Sequence, residues 1–160
     1  EPVSALRRAD FALVKGGPPK ARELEALQKY SVPCMPFTYR PSAIYDIETG
    51  LEEPAASIAG KKALPVCGIA NPASFLETLS SLGAVFESRL VYPDHHAYDE
   101  KDIASIENAA ALSMVITTEM DACKLKGRIK GVKVCALRIE AEMDQAQFDT
   151  YLSPVLRGVW

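Results

Sequence analysis

The two histidines of the chain, His95 and His96, stand side by side in the stretch VYPDHHAYDEKD at 91–102, directly after Asp94. An imidazole beside a carboxylate is a common device for moving or steadying a proton near neutral pH, because the carboxylate fixes the tautomer and raises the basicity of the ring. A metal site would draw on His95, His96, Asp94 and Asp99. Adjacent histidines on an extended loop point apart, however, and no third His or Cys lies at ligand spacing, so no metal is expected. A solvated polar loop accounts for the same residues, and spacing alone leaves the catalytic and the surface readings open.

Two further connections carry polar groups of the right kind. Gly68-Ile69-Ala70-Asn71 puts a glycine just before a helix start, where free amides can hold a phosphate. A single glycine is far short of G-x-G-x-x-G, and a tight turn into a capped helix explains it as well. Thr117-Thr118-Glu119 is the third connection. No G-x-x-x-x-G-K-[ST] occurs anywhere, since KGGPPK at 15–20 lacks both the spacing and the final hydroxyl. No nucleotide-binding residue is therefore assigned within this chain.

The elements that place these loops follow from periodicity. ALPVCGIA at 63–70 reads as a buried strand, and Asn71-Pro72 supplies an N-cap and first-turn proline for a helix with Phe75, Leu76, Leu79 and Leu82 on one face, ended by Gly83. AVFESRLVY at 84–92 is a second strand, DEKDIASIENAAAL at 99–112 a second helix, and SMVITT at 113–118 a third strand. Thr118 with Asp121 resembles a capping box for a short third helix. VKVCALRIEAE at 132–142 is a long fourth strand. Alternating strands and helices predict an α/β fold, a small, mainly parallel sheet with flanking helices, with all three loops at the carboxyl edge, where such sheets hold ligands. Before this body, DFALV at 10–14 reads as a strand, and Ala21, Leu24 and Leu27 mark a helix. Pro33, Pro36 and Pro41 make 31–50 an extended edge strand or linker. After it, Asp144 caps a last helix bearing Phe148, Tyr151, Leu152 and Val155.

Charge divides along the same lines. Residues 1–40 carry seven Lys/Arg against four Asp/Glu, 41–120 four against twelve, and 121–160 seven against five. The basic ends are expected to belong together, with the acidic middle as a separate body. The run Lys124, Lys126, Arg128, Lys130 and Lys133 has no interleaved aromatics and no sustained helical face, so it reads as a solvated surface loop, with contact to anionic lipid or phosphate as the alternative; nucleic acid is not an expected partner. Hydrophobic residues at 48% and charged residues at 24% fit a globular chain and exclude a disordered or collagen-like one. Cys34, Cys67, Cys123 and Cys135 form no C-x-x-C pair and are expected to be reduced thiols. No apolar run reaches the roughly 20 residues a bilayer crossing needs, and the start at Glu1-Pro2 suggests a fragment of a longer protein.

Several strings together carry a resemblance. EPVSALRRADFALV at 1–14, GKKALPVCGIANPASFLETLSSLGA at 60–84, YPDHHAYDEKDI at 92–103 and ITTEMDACKL at 116–125 resemble, in this order, the C-terminal half of the tetraacyldisaccharide 4'-kinases, which phosphorylate the lipid A precursor. The resemblance covers nearly the whole chain, and CGIANPxxF…LG and PDHHAY are its most specific parts.

The resemblance implies a P-loop kinase whose Walker A loop, magnesium-binding acids and catalytic aspartate lie in an N-terminal domain missing from this chain. ATP and Mg2+ are then bound mainly by that domain. Residues 1–30 and 144–160 would complete it, 31–56 and 132–143 would be linker strands, and 57–131 a small α/β domain closing over an anionic glycolipid. His95 would pair with the catalytic aspartate, and Asp94 would help orient the pair. No role carries over to His96. The implied location is the cytoplasmic face of the inner membrane of a Gram-negative bacterium, with the membrane surface as a partner. Where family members commonly read T-T-E-K-D, this chain has Met120 in place of the lysine. The rival reading is a freestanding Rossmann-like module binding a nucleotide or small molecule at Gly68.

Overall fold

The structure, a computed structural model, describes residues 2–110 and 113–157, with side chains as far as 153. In chain order the elements are β1 (Ala12–Lys15), α1 (Ala21–Lys29), β2 (Cys34–Asp46), β3 (Glu52–Pro54), β4 (Ala63–Cys67), α2 (Pro72–Ser81), β5 (Leu90–Val91), α3 (Glu100–Ala109), β6 (Met114–Thr118), α4 (Glu119–Leu125), β7 (Val134–Glu142) and α5 (Gln145–Arg157). Short 3-10 turns cover Val3–Arg8 and Ala55–Ile58. The chain forms two compact units, one of Pro41–Ile139 and one of Glu1–Arg40 with Glu140–Trp160.

The Pro41–Ile139 unit holds most of the α/β pattern that the periodicity predicts over 63–142, together with residues 41–62. Strand β4 pairs in parallel with β5 and with β6, and β6 pairs in parallel with β7; β3 pairs antiparallel with β2. Short buried strands joined through helices need such crossovers. Side chains alternate between two cores, as a period of two requires. Leu64, Val66, Val115, Val134 and Ala136 face one core with Ile103 and Ile106 of α3 and Ala122 and Leu125 of α4. Ala63, Cys67, Ile116, Cys135 and Leu137 face the other, with Phe75 and Leu79 of α2. Burial on both faces explains why these strands read as unbroken apolar runs.

The strand expected over 84–92 is not continuous. It makes one bridge, Val85 to Lys62, and pairs again only at Leu90–Val91. Pro65 supplies the reason. Ala63 N–H donates to Val85 O at 2.9 Å and Cys67 O accepts Tyr92 N–H at 2.8 Å, so the odd-numbered residues of β4 face this edge. Pro65 has no N–H to offer there, and between Val85 and Leu90 the neighbouring chain leaves the sheet. The second helix is Glu100–Ala109, and Ala111 and Leu112, expected at its end, lie outside the described residues.

The other unit opens with a β–α–β turn, β1 pairing in parallel with β2 from Ala12↔Cys34 to Lys15↔Phe37. β2 is extended over 13 residues, as expected, but it is not an edge strand, since β1 and β7 lie on either side of it in the sheet order. Pro33 O accepts Ala12 N–H at 2.9 Å and Phe37 O accepts the N–H of Gly16, just past β1, at 2.8 Å, which turns the imide of Pro36 away from that pair, so this proline removes no bond between the two strands. Asp144 caps α5 through Gln147 N–H at 3.0 Å, as expected. Phe148 and Tyr151 of α5 meet Phe11, at ring centroid distances of 5.8 and 5.9 Å. The side chain of Val155 lies outside the described ones.

Candidate functional site

All three strand-end loops meet at the carboxyl edge of the Pro41–Ile139 sheet, and direct hydrogen bonds join them. Gly68 N–H donates to Asp121 Oδ2 at 2.8 Å, and His95 N–H donates to Gly68 O at 3.1 Å. One glycine therefore couples the loop after β4 to the start of α4 and to the histidine loop.

The two histidines do different things. His96 is the half-buried one. Its Nε2 lies 2.7 Å from Asp102 Oδ2. Its ring stacks on Tyr92 at 4.7 Å and meets Tyr98 edge-on at 5.1 Å. Asp102 Oδ2 also accepts Asp99 N–H at 2.9 Å, and Asp99 Oδ1 accepts from Lys101 and Asp102, closing a capping box at the start of α3. The Asp99 amide first, and His96 second, hold the Asp102 carboxyl below the usual carboxylate range. His96, to which sequence reasoning gave no role, thus pins the loop to α3.

His95 points the other way. Its side chain is 76% exposed, with Nε2 3.7 Å from Asp94 Oδ2, too long for a hydrogen bond. Its backbone is left-handed, φ 58°, a conformation uncommon for a residue with a Cβ. The hydrogen bond from its N–H to Gly68 O braces this conformation. The structure thus brings His95 and Asp94 together as an exposed, loosely spaced pair.

Beneath the loop lies a buried network that sequence reasoning saw only as a helix cap. Thr118 Oγ1 does accept Asp121 N–H at 3.2 Å, but the Asp121 carboxylate does not turn back to close a box on the Thr118 amide. It is fully buried, and it takes Gly68 N–H and the Thr118 hydroxyl on Oδ2 and Lys124 Nζ on Oδ1, the last two at 3.0 Å. Tyr98 is buried beside it, its hydroxyl without a well-aligned hydrogen bond. Burial, and then the Asp121 charge, push the phenol well above its usual range. Thr117 is buried with its hydroxyl unpaired, and Glu119 accepts from Arg138 Nε at 3.3 Å.

The Gly68 amide is consequently not open to a phosphate, because a carboxylate of the chain already occupies it. Nor is there room at its Cα: a Cβ there would lie 3.1 Å from both His96 Cβ and Pro93 O, and 3.4 Å from the Tyr98 hydroxyl. Glycine is needed for this close approach. A nucleotide at Gly68, the rival expectation, would find this amide already taken.

Much of the basic run is likewise committed. Lys124 pairs with Asp121, Arg128 donates to Tyr98 O at 2.6 Å and to Glu100 at 2.8 Å, and Lys133 lies 3.8 Å from Glu53. Among the described residues no three His, Cys, Asp or Glu side chains are grouped to hold a metal ion. No helix among them is long and apolar enough to cross a membrane.

Comparison with known proteins adds a family. The model of the tetraacyldisaccharide-1-P 4'-kinases matches residues 1–157. The chain belongs to the tetraacyldisaccharide-1-P 4'-kinase family. The tetraacyldisaccharide 4'-kinase of Syntrophus aciditrophicus is 34% identical over 155 residues, which cover 87% of this chain and 41% of the relative. That of Dechloromonas aromatica is 32% identical over 160 residues, covering 99% and 44%. The chain thus spans less than half the length of these kinases. The fold also matches the crystal structure of "apo" form LpxK from Aquifex aeolicus in complex with ATP, at a TM-score of 0.62 and 18% identity, over 97% of this chain and 45% of that one. Met120, where the resemblance implies a lysine, is 51% exposed near the start of α4.

Proposed function

We propose that this chain is the acceptor-side half of a lipid kinase that transfers the γ-phosphate of ATP to the 4'-hydroxyl of a tetraacyldisaccharide 1-phosphate in lipid A synthesis, and that it is inactive alone. Family membership supports the reaction. The observation that carries the site is the exposed His95 ring beside Asp94, presented at the carboxyl edge of the sheet by a backbone held in the left-handed region.

In this reading residues 1–30 and 144–160 complete a P-loop kinase domain, 31–56 and 132–143 are linker strands, and 57–131 closes over the acceptor. ATP and Mg2+ are held mainly by the kinase domain. The His95 imidazole donates a hydrogen bond to that domain's catalytic aspartate, with Asp94 steadying the ring. The aspartate takes the proton of the 4'-hydroxyl as its oxygen attacks the γ-phosphorus, and the bond to the ADP oxygen breaks. Catalysis of this kind rests on positioning and charge stabilisation. The acceptor is an anionic glycolipid, so the enzyme works at the membrane surface, on the cytoplasmic face of a Gram-negative inner membrane.

Kinetics of the full-length enzyme test the reading. His95→Ala is expected to lower kcat by on the order of 10² to 10⁴, with KM for ATP little changed. Wild-type turnover in that variant would return His95 to the status of a surface residue.

A further inference from the structure

We infer that Asp121 is a positioning residue for His95, acting through the two peptide groups of Gly68. The inference rests on the reading of His95 given above. The path is short: the Asp121 carboxylate fixes the Gly68 N–H at 2.8 Å, and the Gly68 carbonyl fixes the His95 N–H at 3.1 Å. Glycine has the widest backbone freedom of any residue, so without the carboxylate both of its peptide groups could turn. A turn at Gly68 would be passed directly to the residue whose left-handed backbone presents the imidazole.

Three features set Asp121 apart from an ordinary cap. Capping is already done by the Thr118 hydroxyl, which accepts the Asp121 amide. The carboxylate instead reaches a residue 53 positions away in sequence and is fully buried. It is held from both sides, by the Thr118 hydroxyl on one oxygen and Lys124 on the other. The space over Gly68 is meanwhile filled by Pro93, His96 and Tyr98, so the histidine loop rests directly on the glycine that Asp121 holds.

Asp121→Asn in the full-length enzyme tests this. The amide keeps the shape, but whichever way it is placed its NH2 faces a donor, the Gly68 N–H or the Lys124 ammonium. Misplacement by about 1 Å can cost about 10²-fold, so kcat is expected to fall by about 10- to 100-fold, with KM for ATP within about twofold. In the His95→Ala background the same substitution is expected to change kcat by less than about threefold, because residues acting as one unit are not additive. Multiplying effects would overturn the inference and leave the reading of His95 standing. Should His95→Ala prove silent, that reading fails, and the link itself is still decided by hydrogen exchange: the His95 amide must exchange at least about tenfold faster in Asp121→Asn, and unchanged protection overturns the inference. If the Asn variant does not accumulate folded, Lys124→Met, which removes the ammonium that holds the other Asp121 oxygen, takes its place in both measurements. Additivity with His95→Ala, or an unperturbed His95 amide, then counts against the proposal.

Discussion

Asp102 accepts its side-chain hydrogen bond from His96, at 2.7 Å, while the neighbouring His95 is left with only a distant carboxylate. Two identical side chains at consecutive positions thus have separate tasks, one closing the loop onto α3 and the other facing outward.

The His96 clamp has a pH signature. The Asp102 carboxyl lies below its usual range in the folded state, through the Asp99 amide and then His96. Its contribution to stability is therefore complete above the unfolded carboxylate value of about 4 and is lost as pH falls through the depressed folded value. The difference in melting temperature between the native protein and Asp102→Asn should be present near neutrality and shrink below about pH 4. A difference that grows on acidification would contradict the assignment.

His96→Ala removes a stacked ring and the partner of Asp102, and it should lower stability by about 1–3 kcal/mol. His95→Ala should change stability by less than about 0.5 kcal/mol, as for an exposed substitution. Urea unfolding of the two variants checks the contrast, and equal losses would count against it.

Sequence alone carried the parallel α/β body and its edge of loops, because apolar period and helix caps are local signals. Spacing did not carry which histidine faces outward, since on a loop the side-chain direction depends on what lies beneath; only the resemblance singled out His95. Asp121 was visible only as a cap for the same reason: its decisive partner, Gly68, is remote in sequence. Pro65 is a different lesson. A proline inside an apparent central strand was a readable sign that one neighbour must break, and the continuous strand expected over 84–92 overlooked it.

The thiols should divide into two classes. Burial pushes both Cys67 and Cys135 up to about 11, and both are enclosed by the sheet. Cys123 is exposed and Cys34 partly so. At pH 8 alkylation of the folded protein should modify Cys123 first and Cys34 more slowly, leaving Cys67 and Cys135 until denaturant is added. Peptide mass mapping against time would show it, and early loss of Cys67 would rule out the packing described.

Both cores should matter. Leu79 on one face and Ile106 on the other are each fully buried. Each truncation to alanine should cost about 2–5 kcal/mol. Calorimetry on the two variants is the measurement, and a loss below about 1 kcal/mol at either site would mean that face is not packed as found.

The buried carboxylate at Gly68 also bears on how such a sheet keeps its chemistry single. In doubly wound folds this turn is where a nucleotide tends to settle. Here the berth is filled from within by Asp121. Drift toward nucleotide binding at this edge would require losing that acid and clearing the residues stacked over the glycine, changes that would disturb the histidine loop at the same stroke. The acid that closes this turn to an outside anion is therefore the same one that ties it to the histidine loop.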